Sequence, residues 1–153
     1  TMLKATVGPS ADMVARYRFV TKGEEIFGYY SGNSFANQLG ISMQVPRKIE
    51  IVSNNSNSSP REIEIGGRKF LIRKSSIVIN RENVYVLQLL ELLKNIEVYM
   101  DGSYDEARVK IEEYIDIHDI RKESVNRYIR EFPINVFKNY YELGLDNVFA
   151  QRK

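Results

Sequence analysis

The chain has 153 residues, of which 43% are hydrophobic and 11% aromatic, enough apolar material for one folded core. It contains no cysteine, which excludes disulfides, thiolate zinc sites and a cysteine nucleophile, and its single histidine, His118, excludes multi-histidine metal sites. The 22 lysines and arginines against 20 acids give a net charge of +2, too balanced to indicate a nucleic-acid-binding protein by itself.

The first predicted elements are a helix and a strand. Ser10 is a favourable N-cap, and apolar residues recur at helical spacing as far as Val20, so we expect a helix that ends at Gly23. The arginines on this helix are interpreted as a solvated face. Residues 26–30 are aromatic and include Gly28, which predicts a short strand.

The stretch 31–46 organises the rest of the chain. Phe35 and Leu39 lie at helical spacing, and Gly40 tolerates the positive φ that ends a helix. Pro46 favours extended geometry in the residue before it, which suits the start of a strand. We interpret this stretch as a packing joint between a helix and a sheet, in which polar side chains bond backbone groups. The residues that would hold the joint are Gly32, Asn37, Gly40, Gln44 and Pro46.

Three strands are predicted after the joint. Residues 47–53 alternate, so that Val45, Ile49 and Ile51 would face one way and Lys48 and Glu50 the other. The Asn- and Ser-rich residues 54–59 indicate an exposed loop. The dipeptide 66–67, Gly-Gly, predicts a two-residue hairpin turn. Its register would place Ile63 opposite Phe70 on the inner face.

The same hairpin register pairs charges on the outer face. Glu64 would lie opposite Lys69 and form an ion pair with it, while Ile65 would lie opposite Arg68 on the inner face, together with Ile63 and Phe70. A slip of one residue would bury Glu64, so the hydrophobic pattern fixes the register.

The second half of the chain is predicted to be helical. Asn80 would cap a helix over about residues 81–95, apolar nearly all round and therefore central in the core. Ser103 and Glu106 predict a capping box, and His118 lies on the apolar stripe of that helix, which indicates a packed residue. Asp119 would cap a further helix, and a last helix would end at Gly144.

Because the strands precede most of the helices, we expect an α+β fold. Its small, mainly antiparallel sheet contains a β-hairpin and packs against the central buried helix and a C-terminal helical group. We expect a single domain, with an α+β core over residues 1–100 and a helical extension over residues 101–153 packed on it. No apolar run approaches the roughly 20 residues of a membrane helix, and no signal peptide is visible, so a cytoplasmic protein with no membrane contact is expected.

The sequence contains no phosphate-binding loop, zinc-ligand spacing or nucleophile elbow, so we expect a non-enzymatic protein without a metal or cofactor. One alternative is a metal-dependent nuclease, in which Glu50, Glu62 and Glu64 would bind the ion. Another is a plain protein-interaction module, whose surface would carry an apolar patch.

Positive charge is concentrated between residues 47 and 74, where seven bases face three acids and give +4, against −2 for the rest of the chain. A basic sheet beside tyrosines could contact DNA or RNA phosphates. An alternative is that these cations protect exposed strand edges against aggregation. The candidates for polyanion contact are Arg47, Lys48, Arg61, Arg68, Lys69, Arg73 and Lys74.

The stretch 31–46 also carries a resemblance. Its string Ser31-Gly32, Ala36-Asn37 and Leu39-Gly40-Ile41-Ser42-Met43-Gln44-Val45-Pro46, followed by an alternating strand and a basic hairpin, resembles the bacterial abortive-infection antitoxins of the AbiE type. The string differs from the family pattern at Met43, where threonine is usual, and mildly at Ile41. A compatible order of elements extends the likeness over most of residues 9–100.

This resemblance implies an antitoxin and transcriptional regulator whose cognate partner is a nucleotidyltransferase-like toxin, with or without direct contact. Members of the family usually carry an N-terminal winged helix-turn-helix that binds the promoter. We expect that domain to be absent here and the chain to correspond to the second domain, either as a C-terminal fragment or as a stand-alone version. The family supplies no catalytic residues to carry over.

Overall fold

A computed structural model describes residues 9–57 and 59–152. The helices and strands follow in the order α1 (Ala11–Phe19), β1 (Thr21–Lys22), β2 (Glu25–Ile26), β3 (Gly28–Tyr30), α2 (Gly32–Leu39), β4 (Lys48–Ser53), β5 (Arg61–Ile65), β6 (Arg68–Lys74), α3 (Val84–Leu93), α4 (Ile96–Tyr99), α5 (Tyr104–His118), α6 (Lys122–Tyr128), α7 (Ile134–Glu142) and α8 (Leu145–Ala150), with a 3-10 turn at Ile129–Glu131. The fold is α+β, as predicted.

The main sheet has the strand order β3-β4-β6-β5. After β4 the chain runs to the outer edge, forms β5, turns at 66–67 and inserts β6 between β4 and β5. The β4–β6 pairing is therefore parallel, while β3–β4 and β5–β6 are antiparallel. The predicted hairpin register is confirmed, with Ile63 opposite Phe70 and Glu64 opposite Lys69.

Two layers cover the sheet. Helix α1 lies on one face, where Phe19 packs with Ile51, Phe70 and Ile72. On the other face, α3 packs Leu87 against strands β3 and β4. Eight of the ten residues of α3 are buried, which confirms the predicted central helix.

The remaining helices share one core with α2 and α3. That hydrophobic cluster begins at Phe35 and extends to Phe149, so residues from before and after position 100 pack together. Ser103 and Glu106 form the predicted capping box of α5. Within the described residues, no helix is long and apolar enough to cross a membrane.

The last carbonyl of α1 fixes this helix on the sheet. The Ser53 hydroxyl donates a hydrogen bond of 2.6 Å to the Phe19 carbonyl oxygen. The same oxygen lies 1.9 Å from the position that a Cβ on Gly28 would occupy. Only glycine leaves room for α1 to approach β3 this closely.

Several predicted boundaries are wrong. Helix α1 ends at Phe19 rather than at Gly23, because residues 21–26 form a small hairpin with Gly23 in its turn. Helix α3 begins at Val84 rather than near residue 81. Asn80 accepts from the N–H groups of Glu82 and Asn83, so it caps the turn that precedes the helix. The short helices α4 and α8 were missed by the periodicity because each has at most two turns.

Three side-chain predictions are also wrong. Val45 is 82% exposed, because β4 begins only at Lys48. Asp119 ends α5 in a left-handed conformation instead of capping α6. Among the described residues Glu64 and Lys69 form no ion pair; Lys48 pairs with Glu62 at 2.5 Å instead. Parallel pairing of β4 with β6, which the sequence did not predict, brings β4 to that surface.

Candidate nucleic-acid interface

The strand register divides six of the seven candidate cations between two faces of the sheet. Because neighbouring residues of a strand point to opposite sides, the α1 face receives Arg61, Arg68 and Lys74. The opposite face receives Lys48, Lys69 and Arg73. Arg47 is exposed and precedes the strand. The hairpin therefore does not gather its positive charges on one surface.

Acidic side chains engage part of this set. Lys48 holds Glu62 at 2.5 Å and, by its hydrogen bond, lowers the pKa of that carboxyl. Arg68 lies 3.7 Å from Asp12 of α1. These exposed pairs contribute little free energy, but they reduce the charge that Lys48 and Arg68 offer to a ligand.

Arg73 belongs to a partly buried ion-pair network that joins the sheet to α3. Its guanidinium lies 3.4 Å from the Glu91 carboxylate and 3.9 Å from that of Glu50. Glu91 has a side chain only 10% exposed and also accepts from Lys94 at 3.1 Å. Burial, and then the Glu91 charge, raises the pKa of the adjacent Tyr29. Arg73 is thus a link between layers rather than a free cation.

Three other cations converge where α1 ends. Arg18 and Arg61 place their guanidinium carbons 4.9 Å and 6.0 Å from the centre of the Phe19 ring. Lys74 lies on the same face of the sheet. Because it follows Ile72, the strand partner of Arg61, by two residues, the side chains of Arg61 and Lys74 are within reach of one another. We call Arg18, Arg61 and Lys74 the basic corner.

The basic corner offers free positive charge. Within residues 9–57 and 59–152, none of its three side chains lies within 4.0 Å of a carboxylate. Asn55, in the loop beside it, donates to the Arg18 carbonyl oxygen at 2.9 Å and so ties that loop to α1. Cations held close together over an apolar base can contact successive phosphates.

Arg18 was not among the predicted contact residues, because helical spacing indicated only a solvated face for the arginines of α1. The local sequence gives no signal for its role, since Arg18 joins Arg61 and Lys74 only through the packing of α1 across the sheet. Asn55 was missed for the same reason.

The joint of residues 31–46 is held by backbone contacts. Gly40 has φ +81° and directs its N–H to the carbonyl oxygens of Ala36 and Asn37, the predicted end of α2. The Asn37 amide donates to the carbonyl oxygens of Ser42 and Gln44, each at 3.1 Å.

The other joint residues take less direct parts. Gly32 begins α2 beside the carboxylate of Glu50, whereas Gln44 has an exposed side chain and takes part through its backbone. Pro46 lies between the joint and β4. Ser34, which is not among the predicted joint residues, accepts from the Glu50 N–H at 2.9 Å and ties α2 to β4.

The carboxylates of the nuclease alternative stand apart. Glu50 and Glu62 both lie beside Leu71, on opposite sides of β6, so about 10 Å separates their strands. Glu62 faces Lys48, and Glu50 faces Arg73. Among the described residues, no three His, Cys, Asp or Glu side chains converge as metal ligands.

His118 is packed, as predicted. Its ring stacks on Tyr85 with centres 3.8 Å apart and lies 4.5 Å from the ring of Tyr114. Burial lowers the pKa of His118, which favours the neutral ring.

No protein-family model matches this chain, and searches of curated proteins and of solved structures give no significant match. The resemblance to the abortive-infection antitoxins therefore stays a prediction that rests on the string of residues 31–46.

Proposed function

We propose that this chain is a non-enzymatic, nucleic-acid-contacting domain of a bacterial antitoxin or transcriptional regulator that acts in the cytoplasm. The string of residues 31–46 supports the family, and the basic corner supports the contact with nucleic acid. The single observation that carries the contact is the convergence of Arg18 and Arg61 on Phe19, with Lys74 on the same sheet face and no neighbouring carboxylate among the described residues.

The proposed contact combines Arg18 at the end of α1 with only two of the predicted hairpin cations, Arg61 and Lys74. Lys48, Arg68 and Arg73 already have acidic partners, so a phosphate would have to displace a carboxylate to reach them. The basic corner requires no such exchange. Its contacts would be made with phosphates, so binding would show little preference for sequence.

The test is DNA binding by fluorescence anisotropy with a mixed-sequence labelled oligonucleotide over a range of salt concentrations. Three phosphate contacts predict a slope of log affinity against log salt of roughly −2 to −3. The double charge reversal Arg18→Glu with Arg61→Glu should remove most of this slope. Arg127→Glu is the matched control, because Arg127 is exposed on α6.

Equal salt dependence in both variants would contradict the basic corner. The antitoxin part is tested separately in cells, by expressing the chain beside its nucleotidyltransferase-like toxin. Restored growth is expected, and failure to rescue by a folded protein would reject the antitoxin role.

A second candidate function is direct contact with a protein partner, which one observation favours. Met43, Val45 and Val98 are 77%, 82% and 74% exposed, and Met43 is tied to the turn that follows α4 because its N–H donates to the Asp101 carboxylate at 2.5 Å. Met43 and Val45 lie on the joint and Val98 lies on α4, which contacts α2 of the joint, and exposed apolar residues on neighbouring segments are a feature of interaction surfaces. Met43→Asp should then abolish a partner binding that does not respond to salt, whereas Met13→Asp should leave it unchanged.

A further inference from the structure

A small cavity opens at the free edge of strand β3, between the end of α1 and the first turns of α3. Its volume is about 170 Å³, and the residues that matter here are Arg16, Gly28, Tyr30, Tyr85 and Gln88. We call it the β3 cavity. It shares helix α1 with the basic corner but lies on the other side of that helix, because Arg16 and Arg18 project about 200° apart.

The hydrogen bonds of β3 show which backbone groups point into this edge. The Ser31 N–H donates to the Glu50 carbonyl oxygen at 2.9 Å, and the Phe27 carbonyl oxygen accepts from the Asn54 N–H at 2.8 Å. Because an antiparallel strand directs alternate residues to its partner, Tyr29 also bonds to β4. The backbone groups of Gly28 and Tyr30 consequently face away from the sheet.

Two of these four outward groups already have partners. The Gly28 N–H donates to the Val20 carbonyl oxygen at 3.1 Å. The Tyr30 carbonyl oxygen accepts from the Gln88 amide at 2.9 Å. In the part of the chain that the structure describes, the Gly28 carbonyl oxygen and the Tyr30 N–H have no partner. They stand two residues apart on one strand edge, an acceptor next to a donor.

Aromatic side chains form the walls of the β3 cavity. Tyr30 and Tyr85 are both half-buried, and Tyr85 is held in place by its stack on His118. Arg16 is exposed at the mouth of the cavity and has no carboxylate within 4.0 Å among the described residues. The cavity thus combines flat apolar walls, a backbone acceptor and donor, and one free cation.

The size of the cavity limits its occupant. Pockets for drug-sized ligands usually measure about 300–1,000 Å³, so a space of about 170 Å³ accommodates one ring system rather than a whole nucleotide. Nucleobases present a hydrogen-bond donor beside an acceptor on their pairing edge, which complements the backbone groups of Gly28 and Tyr30. In a duplex that edge is occupied by the opposite base.

We propose that the β3 cavity receives one unstacked base of a single-stranded nucleic acid. The base lies between the tyrosine walls, the Gly28 carbonyl oxygen and the Tyr30 N–H bond its pairing edge, and Arg16 contacts the adjoining phosphate. This inference rests on the proposed function, since the basic corner would hold the continuing backbone, and it adds that the ligand is single-stranded.

The test compares three labelled 12-nucleotide ligands by anisotropy: a mixed-sequence single strand, the same strand in a duplex, and a strand whose bases are replaced by abasic residues. The single strand should bind roughly tenfold more tightly than the other two, because stacking and base contacts are added to phosphate contacts. Tyr85→Leu should abolish this advantage but leave binding of the abasic strand unchanged. Tyr141→Leu, on an exposed tyrosine of α7, is the matched control.

Wild-type protein gives a second measurement that needs no variant. During an NMR titration with AMP, the amide resonance of Tyr30 should shift while that of Tyr29, which bonds to β4, shifts much less. Equal binding of all three oligonucleotides, or no preferential shift of Tyr30, would overturn the base pocket and leave the proposed phosphate contact intact. Absence of binding to every ligand would instead reject the proposed function.

Discussion

Strand β6 carries two neighbouring cations with different surroundings. Arg73 points toward α3 and lies between the carboxylates of Glu50 and Glu91, whereas Lys74 points toward α1 and joins the basic corner. Arg73 is one-third exposed or less and is tied to two acids; Lys74 is exposed and is tied to none among the described residues. A run of basic residues in a strand therefore divides by alternation into structural charges and free charges, and only the free ones are available to a ligand.

The largest expected effect comes from Gly28→Ala, which would disturb the packing of α1 on the sheet and with it the basic corner. A Cβ there would lie 1.9 Å from the Phe19 carbonyl oxygen, so α1 must move off the sheet. We expect the free energy of unfolding to fall by about 3 kcal/mol or more. Chemical denaturation measures this loss, and a stable Gly28→Ala protein would contradict the close packing of α1 on β3.

Arg73→Met and Arg61→Met compare a cation of the ion-pair network with a free cation of the basic corner by their effects on the free energy of unfolding. Removing Arg73 leaves the nearly buried Glu91 with Lys94 alone, so we expect a loss of about 1–3 kcal/mol, less than for a fully buried pair. Arg61→Met should change stability by no more than about 0.5 kcal/mol, because this side chain is exposed. Equal losses in urea denaturation would show that the two cations have the same role.

Gly40→Val would perturb the joint of residues 31–46, in which Gly40 ends α2 before the chain enters β4. Gly40 has φ +81°, which a β-branched residue adopts only with strain, although no atom crowds the site closer than 3.7 Å. We expect a destabilisation of about 1–2 kcal/mol. Thermal unfolding would measure it, and an unchanged melting temperature would contradict the role of Gly40 in ending α2.

The smallest expected effect is the pH dependence of stability that His118, the last residue of α5, contributes. Burial lowers its pKa in the folded state, so below the ordinary pKa of histidine, about 6.5, the unfolded chain binds a proton that the folded chain resists. Stability should therefore fall slightly as the pH decreases below about 6.5. His118→Phe keeps the stack on Tyr85 and should flatten this dependence, as a series of denaturation curves between pH 5 and 8 would show.

Local sequence determined several features of this protein without help from the rest of the chain. The register of the hairpin follows from Gly-Gly at 66–67 and the alternation around Ile63, and the start of α5 follows from Ser103 and Glu106. The buried position of α3 follows from its continuous apolar composition. In each case the residues that specify the feature are close neighbours in sequence, so their periodicity or capping chemistry suffices.

Only the tertiary structure decided which charges are free. Parallel pairing of β4 with β6 placed Lys48 beside Glu62, and the packing of α3 placed Glu91 beside Arg73. The docking of α1 brought Arg18 to Arg61 and opened the β3 cavity beside Tyr30. These contacts join residues far apart in the chain, and their geometry depends on which strand edges and helix faces meet. Composition and spacing carry no information about that choice.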